Sequence, residues 1–355
     1  MVSKFLLGIL INSYTLKVNN IGEKLPKTKH RVLSKSRTTI TLDPPLNSSY
    51  PVSENILSSI VLNDSIEIIL KSEKQLINIL PRKNLLSRLE KVEKRIVANL
   101  DHLFLVVTNI PTFNLINATK MAIRARNENI PFTIIINKVD HSDVTESFKK
   151  KVKALLPFDV CDKSNDSKKF KIIQASIHND IMMSNLSSNI REIAINSENN
   201  EVSICLIGQS GVGKSSLINK LIPSARQKTG IVSTRHKKGR HTTRGSRSFE
   251  YKICGDTKKK IFIMDTPGID SFGLENLKHR ELMQYFSEWE DINKQYFPCK
   301  FKNCIHDREP DCGIRRFLVS LRDDSEDFDH ISRRLMLWKK FMSTLNKKSV
   351  GNNQS

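Results

Sequence analysis

The chain has 355 residues, 38% of them hydrophobic and 6% aromatic, with 58 Lys and Arg against 37 Asp and Glu for a formal net charge of +21. That length suits two or three domains, and the charge favours polyanionic partners, nucleic acid or an anionic membrane surface. No apolar run approaches the ~20 residues that span a bilayer, so no membrane partner is expected; six cysteines in no paired framework argue against a disulfide-stapled secreted domain and for a reducing compartment.

Residues 1–30 read as a leader. A short apolar stretch, Phe5 to Ile11, follows Lys4, and a basic, acid-poor segment runs from Lys17 to Arg37. Such a pattern suits import into an organelle, with an untidy first strand or a plain leader as the alternative. Residues 31–95 carry short β-favouring runs at Thr39–Leu42, Ser59–Leu62, Ile66–Leu70 and Gln75–Leu80, punctuated by turn residues, and predict a small antiparallel β-barrel. From about Val97 strands alternate with helices, the pattern of a parallel α/β sheet. Leu103–Val107 and Phe132–Ile136 are continuous apolar runs suited to strands covered on both faces, with Thr112–Asn127 as the crossover helix between them. Phe170–Ile173, Val202–Ile207 and Lys260–Met264 are further strands. The α/β domain is assigned to 96–277 and a charged helical domain to 278–355.

Gly208-Gln209-Ser210-Gly211-Val212-Gly213-Lys214-Ser215 follows one of these strands, and Ser216 opens a predicted helix. That is the context a phosphate-cradling P-loop requires. Its backbone N–H groups and the helix N-terminus favour phosphate oxygens. Lys214 reaches the β- and γ-phosphates, and Ser215 ligates Mg²⁺. Asp265-Thr266-Pro267-Gly268 follows a later strand, with Asp265 placed for the metal and the Gly268 N–H for the γ-phosphate. Asn137-Lys138-Val139-Asp140 ends the strand from Phe132. The Asp140 carboxylate can accept two hydrogen bonds from guanine N1 and N2, which adenine cannot supply. Asn137 suits the N7 edge, the stem of Lys138 covers the base, and Ala175 and Ser176 stand where backbone can support O6. GTP and GDP are therefore the expected ligands. In ordinary GTPases the P-loop precedes the guanine reader; here the order is reversed, which indicates a circular permutation.

Between P-loop and Asp265 lies a basic segment, Lys237 to Arg244. It must supply a threonine to Mg²⁺ and the γ-phosphate, with Thr243 the first choice and Thr242 the alternative. Ile269 stands where many GTPases carry a water-orienting glutamine, so His241 becomes the candidate for positioning the attacking water. Near the C-terminus Cys299, Cys304, His306 and Cys312 offer three thiolates and an imidazole, a set that suits a closed structural zinc site. Lys300, Lys302, Arg308, Arg315 and Arg316 surround it, and Arg333, Arg334, Lys339 and Lys340 extend a cationic face along a helix whose Leu335, Leu337 and Trp338 pack inward.

With these motifs in view, the chain resembles the bacterial-type small ribosomal subunit biogenesis GTPases of the RsgA (YjeQ) family, from about Ile66 to Met342. The likeness is carried by Ile79–Arg88, Val97–Asp101, the permuted nucleotide motifs, Gly239–Arg244 and Cys299–Asp307 with Cys312. It implies an OB-like barrel in 31–95, a permuted GTPase domain and a zinc domain. Together these act on the immature small subunit and its rRNA as a monomer, with hydrolysis accompanying release and His241 matching the histidine implicated in family catalysis. The region before Ile66 departs from the family's OB pattern, and the segment before Arg31 has no clear counterpart, which points to a plastid-type or mitochondrial ribosome rather than a cytoplasmic one. The alternatives are a GTP-gated rRNA-binding module with negligible turnover and a permuted GTPase of the large subunit.

Overall fold

The computed structural model describes residues 27–36, 38–43, 49–71, 74–89, 93–110, 112–140, 145–157, 170–226, 246–252, 259–266 and 279–351. The chain divides into two compact units, Met1–Ile60 with Asp64–Arg82, and Val61–Asn63 with Lys83–Ser355.

The first unit contains β1 (Lys27–Lys35), β2 (Thr39–Asp43), β3 (Ser49–Pro51), α1 (Glu54–Ser59), β4 (Ser65–Lys71) and β5 (Lys74–Ile79). All pairings are antiparallel, in the order β3-β2-β1-β4-β5. Alternation along β2 buries Ile40 and Leu42, which join Val32, Leu57, Ile60, Ile66 and Ile68 in one core, the period-two pattern of a sheet with one covered face. Lys35 Nζ donates to the carbonyls of Leu57 at 2.5 Å and Ile60 at 2.7 Å, capping the end of α1. Arg82 clasps the buried Asp64 carboxylate at 2.7 and 2.8 Å.

Three expectations change here. The Ser59–Leu62 run is not a strand. Ser59 ends α1, and Ile60, Val61 and Leu62 are buried in succession with only an isolated bridge from Leu62 to Val97. The basic stretch from Lys17 to Arg37 includes β1, so the boundary drawn at residue 30 falls inside a strand. The compact units also divide at Arg82/Lys83 rather than at 95, because the hairpin of β6 (Leu85–Leu89) and β7 (Glu93–Ala98) belongs to the second unit.

In that unit β8 (His102–Val107), α2 (Leu115–Asn127), β9 (Phe132–Asn137), α3 (Glu146–Lys153), β10 (Phe170–Ala175), α4 (Asp180–Asn196), β11 (Glu201–Ile207), α5 (Lys214–Leu221), β12 (Arg247–Tyr251) and β13 (Lys260–Asp265) follow in chain order. The sheet runs β10-β9-β8-β11-β13-β12, parallel except for β12. Every residue of β8 and β9 is buried, as continuous apolar strands covered on both faces must be. The strand that carries the P-loop, β11, lies between β8 and β13, so the chain builds the guanine-reading side of the sheet first. This α/β sheet matches the expected fold class.

Four helices complete the described part of the unit: α6 (His279–Tyr285), α7 (Glu288–Gln295), α8 (Gly313–Ser320) and α9 (Glu326–Gly351). Leu335, Leu337, Trp338, Phe341 and Met342 of α9 are buried, as its sequence pattern predicts. Helix α6 packs on α2, and α9 packs on α3, α6 and α8. Among the described residues no helix is long and apolar enough to cross a membrane.

Candidate guanine nucleotide site and zinc centre

Strand register brings the nucleotide motifs to one edge of the sheet. Ala175 is level with Asn137, Leu206 with Asp265, and Ile207 with Leu105. The carboxyl ends of these parallel strands are where open α/β sheets bind ligands.

The P-loop leaves β11 at Gly208 and enters α5 at Lys214. Gly213 sits at φ +96°, and a Cβ there would stand 2.4 Å from Asn137 Nδ2; one at Gly208 would stand 2.3 Å from the Val106 carbonyl. Glycine is therefore required at both positions, by conformation and contact at the first and by close approach at the second. Lys214 Nζ donates to the carbonyls of Gly208 at 2.9 Å and Gln209 at 3.1 Å, which centres the ammonium over the loop. Ser210 and Val212 are buried, while Gln209, Gly211 and Ser216 are half-buried.

The guanine reader is tied to the P-loop directly. Asn137 Nδ2 donates to the Val212 carbonyl at 2.8 Å, and Lys138 Nζ donates to the Gly211 carbonyl at 2.7 Å. Lys138 adopts φ +60°, which turns the chain across the site and lays its stem along the loop. Burial lowers the Lys138 pKa, with Asp140 opposing the shift. Asp140 is exposed at the rim. The Asn137 Oδ1 is buried and accepts no hydrogen bond from the described residues, whereas Nδ2 keeps a second hydrogen for a base acceptor such as guanine N7. Ala175 and Ser176, both buried, end the neighbouring strand β10.

Ser215 Oγ donates to Asp265 Oδ2 at 2.8 Å, and Asp265 is fully buried. A P-loop hydroxyl beside a carboxylate is the oxygen pair that holds Mg²⁺ with a nucleotide triphosphate. These residues fit that ion. His241, Thr242, Thr243, Gly268 and Ile269 lie outside the described residues.

Cys299, Cys304, His306 and Cys312 converge, their ligand atoms all within 4.8 Å of one another. His306 Nδ1 stands 3.7 Å from Cys299 Sγ and 3.5 Å from Cys312 Sγ. Tetrahedral zinc with ordinary Zn–S and Zn–N bonds requires an S···N separation of about 3.6 Å. The donor set therefore fits zinc in both chemistry and spacing. His306 itself takes φ +61°, and its ring lies against Trp338 and Trp289, with centroids at 5.7 and 6.3 Å. Trp338 Nε1 donates to the Ile305 carbonyl at 2.6 Å. Glu309 accepts from the Ile305 and Asp307 amides at 2.8 and 2.9 Å. Gly313 serves close packing rather than a turn: its Cβ would meet the Phe297 carbonyl at 1.7 Å. Cys161 and Cys254 lie outside the described residues, and Cys205 is a buried core thiol raised in pKa by its burial.

A family model described as RsgA GTPase matches residues 79–275, more than half of the chain. The chain belongs to the RsgA GTPase family. It is accordingly a GTPase. The "Small ribosomal subunit biogenesis GTPase RsgA" of Borreliella afzelii (strain PKo) is 33% identical over 239 residues, covering 66% of this chain and 67% of the relative. That of Carboxydothermus hydrogenoformans is 31% identical over 256 residues, covering 71% and 75%. Among solved structures, YjeQ from Thermotoga maritima superposes with a TM-score of 0.52 at 21% identity, covering 88% of this chain and 98% of that one. YloQ, described as a circularly permuted GTPase, gives a TM-score of 0.50 at 16% identity, covering 90% and 98%. At those identities the structures establish the RsgA fold, permutation included.

The cationic face needs correction. Arg334 is wholly buried in an ion pair with Glu288, at 2.5 Å, and is no part of a solvated surface. Arg333 pairs with Asp329, Lys339 with Asp307, and Lys300 with Asp311. Lys302, Arg308, Arg315, Arg316 and Lys340 are exposed as expected.

Proposed function

We propose that this GTPase binds an immature small ribosomal subunit of bacterial type and couples GTP hydrolysis to its late maturation and to its own release. The observation that carries this reading is one compact unit holding both a guanine nucleotide site and a Cys₃His zinc knuckle ringed by exposed cations, in a chain whose relatives are named for small-subunit biogenesis. In this reading Thr243 joins Ser215 and Asp265 around Mg²⁺, with Thr242 as its alternative, the Gly268 N–H senses the γ-phosphate, and His241 positions the attacking water. Zinc fixes the knuckle, so that Lys302, Arg308 and Arg315 face rRNA phosphates.

The first unit fits an OB-like role: its β1 pairs with both β2 and β4, and a helix separates β3 from β4, as in a small Greek-key barrel. We assign the site of action to an organelle with a bacterial-type ribosome, on the apolar stretch Phe5–Ile11 and the basic, acid-poor segment from Lys17 to Arg37.

GTPase activity with and without purified small subunits tests the reading. Stimulation of at least about tenfold in the wild type, largely lost in His241→Ala while nucleotide affinity holds, is the expected result. A rate that stays flat on addition of small subunits, but rises with large ones, rejects the assigned partner.

A further inference from the structure

Helix α3 follows the guanine reader, and the three carbonyls beyond its last turn are taken by side chains from the C-terminal helices. Arg334 Nη1 donates to Ala154 O at 3.4 Å, Tyr285 Oη to Leu155 O at 2.5 Å, and His330 Nε2 to Leu156 O at 3.1 Å. Lys150 pairs with Asp329 at 3.0 Å and Lys153 with Glu326 at 2.8 Å along the same contact. A helix leaves its final carbonyls without partners of its own. Here a second helical module supplies the donors.

The centre of the contact is buried. Arg334 and Glu288 are both fully buried, joined at 2.5 and 3.0 Å, and Arg334 Nη2 also donates to the Tyr285 carbonyl at 2.7 Å. The guanidinium lies 4.2 Å from the Phe286 ring centroid and 4.7 Å from that of Tyr285. Such a pair adds little net stability over an apolar replacement. What it does impose is a fixed fork of donors and acceptors, and hence one seating of α3.

From α3 a packed path leads to the nucleotide. Phe148 and Val152 on its inner face are buried, and the Phe148 ring meets Phe113 edge-on at 5.3 Å. Phe113 lines a cleft shared with Thr108, Gly208, Gln209 and Val212. Val212 and Gly211 are the residues that accept from Asn137 and Lys138. The path therefore arrives at the joint between guanine reader and P-loop.

We infer that Tyr285, Glu288, His330 and Arg334 are positioning residues for guanine nucleotide binding, acting through α3. By seating that helix they hold the reader against the P-loop, so they set the affinity for GDP and GTP alike. Among the described residues the path does not reach Ser215 or Asp265, so the effect is expected on affinity rather than on the hydrolytic step of the filled site. Linkage makes the effect reciprocal: either nucleotide tightens the seating of α3 on the C-terminal helices.

Two variants test this without any ribosomal subunit, so the outcome is independent of the partner proposed above. Tyr285→Phe removes one hydroxyl and no volume of consequence. Glu288→Met with Arg334→Met replaces both buried charges by apolar groups of similar size, leaving neither orphaned. Affinities for a fluorescent GDP and a fluorescent non-hydrolysable GTP analogue are measured, with single-turnover hydrolysis at saturation, zinc content and hydrogen exchange of residues 146–156. The expected result for Tyr285→Phe is a Kd raised about fivefold for both nucleotides, a single-turnover rate within about twofold of wild type, and full zinc content. In the wild type, GDP slows exchange at the end of α3, and the double variant loses that protection. Unchanged affinities in zinc-loaded variants overturn the inference. So does weakening confined to the GTP analogue, or a slower hydrolytic step with affinities intact.

Discussion

At the scale of single residues, Asn137 and Val212 are 75 positions apart yet share one hydrogen bond, and Gly213 must lack a side chain for that bond to exist. Buried histidines carry a different consequence. Burial holds His102 and His330 down at about 4, each neutral and hydrogen bonded, to Thr133 and to the Leu156 carbonyl respectively. Their folded pKa values lie below the ordinary 6.5, so the unfolded chain takes up protons first. The stability these groups contribute is complete above about pH 6.5 and is lost as pH falls toward 4. Each histidine is expected to withdraw about 2 kcal/mol between pH 7 and pH 5. Urea midpoints across that range check it, and His330→Gln, which keeps a donor without the charge, should flatten its share of the slope. Neither histidine was legible as buried from sequence. The guanine reader, P-loop and zinc ligands were, because each demands fixed residue types within a few positions. Arg334 was not: its partner Glu288 is 46 residues away, and nothing local separates a buried arginine from a solvated one.

At the scale of elements, hydrophobic runs identified the strands of the parallel sheet because those strands are covered on both faces. Strand β1 escaped notice for the opposite reason. Its sequence is basic at both ends and only Val32 is fully buried; pairing with β2 and β4 makes it a strand. The reverse error occurred at Ile60, Val61 and Leu62, whose apolar character records burial rather than a ladder. The knuckle between α7 and α8 carries a Cys₃His donor set that fits zinc, and such a metal would contribute to the folding of the segment. Residues 296–312 contain no helix or strand; His306 and Asp311 take φ of +61° and +56°, and the four candidate ligands converge within this segment. Cys312 is also the N-cap residue of α8 but makes no side-chain capping hydrogen bond, so its replacement by serine acts through the site rather than through the helix end. Cys312→Ser is expected to abolish stoichiometric zinc and to cost at least about 3 kcal/mol, since structural zinc binding is folding free energy. Metal analysis with thermal melting measures both, and a fully zinc-loaded variant with an unchanged melting temperature would reject this ligand set.

At the scale of the molecule, a net charge of +21 says that polyanions are attracted but not which cations meet them. Around the knuckle the structure sorts the charges. Arg334 is spent inside the protein, and Lys300, Arg333 and Lys339 face carboxylates at 3.2–3.5 Å. Lys302, Arg308, Arg315 and Lys340 are exposed and have no carboxylate partner among the described residues. If those four meet phosphates of single-stranded rRNA, the slope of log affinity against log salt is about −3, a loss of roughly fiftyfold between 50 and 200 mM monovalent salt. Fluorescence anisotropy with an rRNA fragment measures it. Arg315→Ala should reduce the slope by about 0.7. The paired replacement of Glu288 and Arg334 should leave the slope alone, because that arginine releases no counterion. A slope indifferent to Arg315 but sensitive to the buried pair would mean that RNA engages a surface other than the knuckle.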